Sequence, residues 1–383
     1  MENVMSRVTK WMSGEKAPPS VIELFTARGC NQKCRFCGSY PLPFNEASWN
    51  PKNNSMDEDF FRFIREASEL KVDEIRICGD GEPLFRKDST MKMISLIKKY
   101  GMRSEIITNG TLFTDDDIKK LVELGMDGIH FSIHGPDAAT HDYLVRLPGA
   151  FDKVVHNIRR FNYWKQKLKK DKPNLTMMSV VNNINYNKLD KMILLAKELN
   201  LVFLHFFDLE IRSEEGKKLK LNEFQKNEIR RNFGNLEKMA ERSGVKFHFP
   251  DTILYKEVNN KNFTLNLSNK KSKNDTNTII NLLNIDKSKN DLLNVPCYES
   301  WYYLAINSSG EIEICPSISN KPVKIKLDEN TTIKDAWYGK QMEKVRRIIL
   351  EKKISGKCQF CCHLSDTFQI REGLKNPVSK INV

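Results

Sequence analysis

The 383-residue sequence has no uninterrupted apolar run near the ~18 residues that a membrane-spanning helix needs. Its N-terminus, MENVMSRVTKWMSGEK, also lacks the apolar stretch of a secretory signal peptide. These two absences argue against a membrane protein and a secreted protein, so we expect a cytoplasmic protein with no membrane partner. Apolar residues make up 40% of the chain, which is enough for a buried core.

The chain also lacks a dominant stripe of positive charge, although its formal net charge is +13. A basic surface can bind nucleic acid, an anionic small molecule or an acidic peptide. Lys and Asn are abundant throughout the sequence instead of being gathered in one segment. The charge therefore disfavours a nucleic-acid partner without selecting another one.

The number and the distribution of the cysteines do not suit a disulfide framework, because the number is odd and most of them lie in two groups. There are nine of them, and eight fall into an N-terminal trio and a C-terminal set of five. Clustered cysteines in a cytosolic chain indicate metal binding more than disulfides. The trio is Cys30, Cys34 and Cys37; the C-terminal set is Cys297, Cys315, Cys358, Cys361 and Cys362; the ninth is Cys78.

Short apolar runs alternate with amphipathic stretches from about residue 21 to 250. Such runs, often β-branched, are typical of buried parallel strands followed by helices. Six strand–helix units predict an α/β fold, either an open sheet or a partial (β/α)6 TIM-like barrel. The predicted strands are Val21–Thr26, Glu74–Cys78, Ser104–Thr108, Ile129–Ile133, Leu175–Val181 and Leu201–Phe206.

A change of composition follows the last predicted unit. Eleven Asn and no Gly or Pro lie between Asn259 and Asn294, which favours a flexible connector, with a substrate-covering insertion as the alternative. We expect a small cysteine-rich α+β domain after it. The predicted division is an N-terminal extension over 1–20, a core over 21–250, a connector over 251–295 and the C-terminal domain over 296–383.

The N-terminal cysteines are spaced CxxxCxxC, directly after the first predicted strand, in TARGCNQKCRFCGSY. Thiolates this close fit a loop folded around one compact metal centre. A 4Fe–4S cluster is usually held by four thiolates, so three leave one iron free for another ligand. The alternative is structural zinc, but zinc sites usually combine CxxC with a second Cys or His pair, and the next cysteine group begins only at Cys297.

This trio, with the aromatic Phe36 before its last cysteine, resembles the cluster motif of the radical S-adenosylmethionine (SAM) superfamily. In that family the free iron chelates the amino and carboxylate groups of SAM. An electron passed through the cluster then cleaves SAM, and the resulting 5′-deoxyadenosyl radical removes a hydrogen atom from the substrate. The resemblance implies that the trio binds the cluster and that an electron donor such as flavodoxin or ferredoxin is a partner.

The segment GDGEP, after the second predicted strand, resembles the GGEP motif of the same family. It differs because Asp80 stands at the place of a glycine. The resemblance implies that the backbone of Gly79 and Gly81, together with Glu82, meets the SAM amine. The simpler alternative is an ordinary turn between a strand and a helix.

Three further residues at or after strand ends match positions that bind SAM in many relatives. Asn109 lies in Thr-Asn-Gly after the third strand, and Ser132 ends the fourth. Arg146 lies in HDYLVRLPGAF, which resembles a segment that supplies an arginine to the SAM carboxylate; a guanidinium can hold a carboxylate through two hydrogen bonds. An ordinary surface ion pair is the alternative for Arg146.

In the C-terminal set, Cys297 and Cys315 flank a β-hairpin predicted over 301–315, and Cys358 and Cys361 form a CxxC. Four thiolates make a closed shell for a 4Fe–4S cluster or for zinc. The pattern resembles the SPASM and shorter twitch extensions of radical SAM enzymes. The resemblance implies one auxiliary 4Fe–4S cluster at these four cysteines.

Cys78 and Cys362 are left without a place in either cluster. Cys78 ends the second predicted strand, and Cys362 adjoins Cys361. The resemblance suggests a catalytic role for either one, as a hydrogen-atom donor to a substrate radical. The alternatives are a small buried hydrophobe for Cys78 and a spare or exchanged ligand for Cys362.

Taken with the resemblance, the sequence predicts a SAM-dependent enzyme that acts on an unactivated C–H bond of a peptide or small polar metabolite. The outcome would be oxidation, epimerisation or cross-linking. Only about 20 residues precede the first predicted strand, so we expect no leader-binding domain there, and a separate leader-binding protein stays open as a partner. The alternatives are a non-catalytic iron–sulfur electron carrier and a zinc-bearing nucleic-acid-binding protein.

Overall fold

The computed structural model describes residues 2–27, 29–37, 55–79, 81–211, 213–254, 297–313 and 325–351. Their strands form a single nine-stranded sheet. The strands are β1 Val21–Phe25, β2 Glu74–Cys78, β3 Arg103–Thr108, β4 Gly128–Ser132, β5 Asn174–Val180, β6 Phe203–Phe207, β7 Lys246–His248, β8 Tyr303–Ile306 and β9 Ile312–Glu313.

Strands β1 to β7 lie side by side in chain order, and every neighbouring pair among them is parallel. Parallel neighbours need a crossover between them, and helices supply it here. This confirms the predicted α/β fold, with a parallel sheet typical of a radical SAM partial barrel. Five of the six predicted strands agree with the observed ones to within one residue at each end.

The sixth strand begins two residues later than predicted. Asn200 has a left-handed φ of 53°, and the N–H of Leu201 donates to the carbonyl of Ala196 over 2.9 Å. These contacts finish the preceding helix, so the extended backbone starts only at Phe203.

Several helices begin at residues whose side chains cap them. Thr114 caps its helix through a capping box with Asp117, and Asn222 does the same with Gln225. The helices are α1 Glu2–Met12, α2 Ser55–Glu69, α3 Lys87–Lys99, α4 Asp115–Glu123, α5 Ala138–Val145, α6 Ala150–Lys167, α7 Leu189–Glu198, α8 Glu214–Lys218, α9 Glu223–Ser243, α10 Asp251–Leu254, α11 Ile333–Tyr338 and α12 Lys340–Glu351. Two 3₁₀ turns cover Pro83–Arg86 and Glu299–Trp301.

The sheet has one apolar face and one mixed face, because side chains alternate along each strand. Ile22 and Leu24 of β1 and Ile77 of β2 are fully buried and belong to the same apolar cluster as Phe60 and Phe63 of α2. The alternate positions, which include Glu23 and Arg76, are only partly buried. We call their side of the sheet the mixed face.

The predicted C-terminal hairpin is present as β8 and β9, and it extends the main sheet. β8 pairs in parallel with β1, from Val21 opposite Tyr303 to Leu24 opposite Ile306, and β9 pairs antiparallel with β8. The indole N–H of Trp337, in α11, donates to the carbonyl of Ala17 over 2.8 Å and ties this region to the chain before β1. The described C-terminal residues are therefore continuous with the core, and the predicted domain division stays a prediction.

Several predicted features lie outside the described residues. They include nearly all of the connector and the cysteines Cys315, Cys358, Cys361 and Cys362. Among the described helices, none has the length and apolar character required to cross a membrane.

Candidate functional site

The three N-terminal cysteines lie together in the segment after β1. We call residues 29–37 the cysteine loop. The N–H of Lys33 donates to the carbonyl of Val145 over 3.1 Å, and the N–H of Arg35 to that of Leu144 over 2.9 Å. The free carbonyls at the C-terminal end of α5 thus fix the middle of the loop.

The thiols of this loop are in a dry environment. Burial, opposed in part by a hydrogen bond from the Gln32 N–H, raises the pKa of Cys30 to about 11. Burial and then the neighbouring charges of Cys30 and Cys37 raise the pKa of Cys34 well above its usual value. Thiolates so close to one another need a cationic centre to offset their repulsion and desolvation.

This donor set has the number of thiols that a 4Fe–4S cluster with one free iron needs. The described part of the chain contains no three His, Cys, Asp or Glu side chains that could hold one metal ion. The thiolates of a cubane cluster each bind a different iron, so they lie farther apart than the ligands of one ion. Three thiols in one loop are the arrangement expected for a 4Fe–4S cluster with one iron left free.

The glycine loop, residues 79–83, lies directly against the cysteine loop. A Cβ added to Gly79 would come within 2.9 Å of the carbonyl oxygen of Ala27. The N–H of Glu82 donates to the carbonyl of Gly29 over 2.8 Å. The two motifs that the sequence singled out are therefore in main-chain contact at the carboxyl end of the sheet, where parallel α/β folds place their ligands.

The Glu82 side chain is turned into the protein. Its carboxylate accepts hydrogen bonds from the Leu84 N–H (3.1 Å), the Thr108 hydroxyl (2.5 Å) and the Asn109 N–H (2.7 Å). Burial raises its pKa to about 7, although these donors act in the opposite direction. The side chain joins the ends of β2 and β3, and its predicted contact with the SAM amine stays a prediction.

Asn109 connects the end of β3 to the cysteine loop. Its side-chain nitrogen Nδ2 lies 2.9 Å from Asn31 Oδ1 and 3.9 Å from Cys30 Sγ. Asn31 in turn donates to the hydroxyl of Thr111 over 2.8 Å. Asn31 and Thr111 are not among the predicted site residues; their signal in the sequence is a polar residue between two cysteines and another just after Thr-Asn-Gly.

Phe36 packs on a buried histidine. Its ring meets that of His134 edge to face, with the centroids 4.6 Å apart. Burial, with a smaller effect from His141, lowers the pKa of His134 to about 3, so the imidazole is neutral. Its Nδ1 accepts from the Val180 N–H over 3.2 Å, which places the ring proton on Nε2.

Arg146 lies at the C-terminal end of α5, close to the cysteine loop. It has a left-handed φ of 54°, and its guanidinium forms an ion pair with Glu215 of α8, which also binds Arg35 over 2.7 Å. The guanidinium charge acts on Cys34, so Arg146 lies near the cysteine trio, and its predicted binding of the SAM carboxylate stays a prediction. Ser132 ends β4 opposite Met178 of β5, on the mixed face.

A row of hydrogen-bonded polar side chains crosses the middle of the mixed face. Arg76 contacts Glu105, whose Oε2 lies 3.4 Å from the guanidinium and 3.0 Å from His130 Nε2. His130 Nδ1 lies 2.7 Å from the hydroxyl of Thr176. We call this set, with Glu23 and Tyr303 at the β1 end, the polar row.

Tyr303 brings the C-terminal hairpin into the polar row. Its hydroxyl donates to the Glu23 carboxylate. Burial and the charge of Glu23 raise the pKa of Tyr303, and Cys78 lies near enough to add to the effect. Cys78 is 6% exposed and ends β2 next to the glycine loop, so it lies between the two motif loops and the polar row.

Of the C-terminal cysteines, only Cys297 belongs to the described residues. It is half-buried and packs against the main apolar cluster, just before the 3₁₀ turn Glu299–Trp301 that leads into β8. Among the cysteines that the structure describes, none forms a disulfide.

Comparison with known proteins agrees with this geometry. Residues 24–196 match the Radical SAM superfamily. The AdoMet-dependent heme synthase of Methanosarcina barkeri is 30% identical over 195 residues, which are 50% of this chain and 51% of the relative. The PqqA peptide cyclase of Granulibacter bethesdensis is 28% identical over 188 residues, 49% of this chain and 46% of the relative. The chain thus spans about half the length of these curated relatives.

Solved structures show the same fold at low sequence identity. Streptococcus suis SuiB bound to S-adenosylmethionine has a TM-score of 0.64 and 16% identity, with 95% of this chain and 75% of that chain covered. The anSMEcpe structure with bound AdoMet has a TM-score of 0.60 and 17% identity, with 90% and 84% covered. The part of this chain from β1 into the helix that follows β5, residues 24–196, is thus similar to the radical SAM superfamily.

Proposed function

We propose that this protein is a radical SAM enzyme that removes a hydrogen atom from an unactivated C–H bond of a peptide or small polar metabolite. The outcome is oxidation, epimerisation or cross-linking. The observation that carries this proposal is the main-chain contact between the cysteine loop and the glycine loop at the carboxyl end of the sheet. An electron carrier needs a cluster but has no use for a second loop built against it.

In this proposal Cys30, Cys34 and Cys37 bind a 4Fe–4S cluster. With SAM bound, the cluster supplies the electron that cleaves SAM reductively and releases the 5′-deoxyadenosyl radical. The backbone of Gly79 and Gly81 borders the cysteine loop and would hold the amino group of SAM. Arg146, near Cys34, would hold the SAM carboxylate once its ion pair with Glu215 is shared or exchanged.

The polar row supports a polar substrate. Glu23, Arg76, Glu105 and His130 lie on the mixed face, and β1 and β2, which carry Glu23 and Arg76, lead to the two motif loops at the carboxyl end of the sheet. A polar substrate can hydrogen-bond to these groups in addition to the contacts they make with one another, whereas an apolar substrate would desolvate them without adding a hydrogen bond. Cys78 lies beside this row and is our candidate hydrogen-atom donor; Cys362, outside the described residues, is the second candidate.

We further propose that Cys297, Cys315, Cys358 and Cys361 bind an auxiliary 4Fe–4S cluster in a SPASM- or twitch-type extension. Support comes from Cys297, which enters the hairpin whose first strand is hydrogen-bonded to β1, and from the fold shared with SuiB and anSMEcpe. Structures of those two proteins are described with a bound precursor peptide SuiA and with bound peptides, respectively. A peptide substrate for this chain, with a separate leader-binding protein and a flavodoxin- or ferredoxin-type donor, rests on that likeness.

The test is reductive cleavage of SAM. Anaerobically reconstituted protein should be brown and, with dithionite and SAM, should produce 5′-deoxyadenosine and methionine. The variant Cys30→Ala/Cys34→Ala/Cys37→Ala is the control and should produce neither. Brown protein without any 5′-deoxyadenosine would indicate an electron carrier, and colourless zinc protein would indicate the structural alternative.

A further inference from the structure

We propose that Asn109 is a positioning residue for the cluster: its side-chain amide donates a hydrogen bond to the Cys30 sulfur and raises the reduction potential of the cluster. This inference rests on the proposed function, because it takes Cys30 as a cluster ligand. It concerns a contact to sulfur, whereas the sequence had suggested that Asn109 binds SAM.

The orientation of the Asn109 amide follows from its neighbours. Its Oδ1 receives the Thr111 N–H over 3.0 Å and the Thr111 hydroxyl over 2.7 Å. A backbone N–H can only donate, so the atom facing it has to be the oxygen. The nitrogen Nδ2 therefore faces the cysteine loop, where its two protons have two acceptors, Asn31 Oδ1 at 2.9 Å and Cys30 Sγ at 3.9 Å.

The side chains of Asn109, Asn31 and Thr111 form a closed ring of hydrogen bonds. Asn31 donates through Nδ2 to the Thr111 hydroxyl over 2.8 Å. That hydroxyl donates to Asn109 Oδ1, and Asn109 donates back to Asn31. Each member uses a donor and an acceptor in the ring, so the direction of every bond is fixed, and the remaining proton of Asn109 is directed at Cys30.

The backbone under Asn109 is fixed independently of this ring. The Asn109 N–H is bound by Glu82 Oε2 at 2.7 Å, and the next carbonyl, of Gly110, accepts from Asn157 Nδ2 over 2.7 Å. Asn109 is only 6% exposed. A side chain held at both its backbone and its amide oxygen loses little freedom when it donates to sulfur, so the contact is preorganised.

Cys30 consequently has two N–H donors directed at it. The Gln32 N–H lies 3.3 Å from Sγ, and the Asn109 amide provides the second. Hydrogen bonds to cluster sulfurs are one of the factors that set the potential of iron–sulfur clusters. They stabilise the reduced, more negative state more than the oxidised one, so their loss makes the potential more negative.

The experiment is an EPR-monitored redox titration of reconstituted protein in the absence of SAM. The signal of this cluster is identified beforehand by its change on adding SAM. The variants are Asn109→Ala, which removes the amide, and Asn109→Asp, which keeps the size and the acceptor for Thr111 but has no N–H. The matched control is Asn157→Ala, which loses a hydrogen bond to the same turn without contacting sulfur.

We expect a more negative midpoint potential in both Asn109 variants, with the larger shift in Asn109→Asp because it adds a negative charge, and an unchanged potential in Asn157→Ala. The inference is overturned if Asn109→Ala holds the cluster at the wild-type potential, or if Asn157→Ala shifts the potential as much as Asn109→Ala does. A wild-type protein whose EPR signal does not respond to SAM would instead contradict the proposed function.

Discussion

The backbone N–H of Asn109 donates to the buried carboxylate of Glu82 over 2.7 Å, and this hydrogen bond joins the carboxyl ends of β3 and β2. Glu82 is 2% exposed and accepts two further donors. This carboxylate connects the two motif loops. Glu82 belongs to the glycine loop, and Asn109, which it holds at the end of β3, contacts Cys30 of the cysteine loop.

Replacing Glu82 by Gln should destabilise the fold. In glutamine an NH2 group replaces one of the two accepting oxygens of the Glu82 carboxylate. This donor would then face the N–H or hydroxyl group that had donated to that oxygen and would leave it without its acceptor. We expect the free energy of unfolding to fall by about 1–3 kcal/mol, measured by urea denaturation. The control is Glu198→Gln, which loses an exposed ion pair with Arg159 and should change stability by less than about 0.5 kcal/mol. Equal effects in the two variants would contradict the role given to Glu82.

Arg146 and Arg35 both form an ion pair with the carboxylate of Glu215. Substitutions of these two arginines can therefore be compared, with Arg146 as the proposed SAM ligand and Arg35 as the control. If Arg146 holds the SAM carboxylate, Arg146→Met loses a charge-assisted interaction of about 1.5–3 kcal/mol, and the Kd for SAM should rise by roughly tenfold or more. Arg35→Met should change it by less than about twofold. Calorimetry on the reconstituted protein measures both, and an unchanged Kd in Arg146→Met would show that the arginine serves only the ion pair.

The glycine loop packs so closely on the chain that leads from β1 to the cysteine loop that no room is left for a side chain at Gly79. A methyl group there would lie 2.9 Å from the Ala27 carbonyl and 3.1 Å from that of Gly81, so Gly79→Ala has to displace one of the loops. We expect reduced iron content after reconstitution and weaker SAM binding. The control is Gly234→Ala in α9, where the added methyl meets nothing within 4 Å; it should raise helix stability by about 0.5–1 kcal/mol and leave iron content unchanged.

The buried histidines predict a loss of stability in acid. Burial lowers the pKa of His134 to about 3 and that of His141 to about 4, whereas an unfolded histidine titrates near pH 6.5. Between these pH values the unfolded chain binds more protons than the folded protein. The contribution of each neutral histidine to the free energy of unfolding is therefore complete above about pH 6.5, and it is lost as the pH falls towards the pKa of the folded state. Each histidine should account for about 2 kcal/mol between pH 6.5 and 5.

Urea denaturation at pH 7 and pH 5 measures this effect. His141→Gln should lose less stability than the wild type over that interval. His156→Gln, at an exposed position of α6, is the control and should behave as the wild type. If the free energy of unfolding falls as much in His141→Gln as in the wild type between pH 7 and pH 5, the buried His141 is not a source of the loss.

Patterns within one segment were predictable from the sequence. The strands β1 to β5, the capping box at Thr114 and the two motif loops follow from local alternation, capping residues and spacing, which depend only on neighbours along the chain. The helix boundary at Asn200 was not predictable, since a left-handed residue other than glycine has only a weak sequence signal.

Contacts between distant segments were not predictable. Nothing in the residues around Tyr303 indicates that β8 pairs with β1, because any apolar strand can complete a parallel sheet edge. The inward direction of Glu82 depends on the Thr108 and Asn109 donors, which the fold brings to it. Asn31 and Thr111 gain their roles only from a ring of hydrogen bonds between two loops about 80 positions apart in the chain.

The most direct test of the account is whether three cysteines leave one iron of the cubane free for SAM. Mössbauer spectra of protein reconstituted with ⁵⁷Fe are recorded with and without SAM, and spectra of the Cys30→Ala/Cys34→Ala/Cys37→Ala variant serve as the reference for iron bound elsewhere. We predict that SAM changes the signal of a single iron of the N-terminal cluster and has no effect on the variant. Spectra of the wild-type protein that are identical with and without SAM would contradict the account.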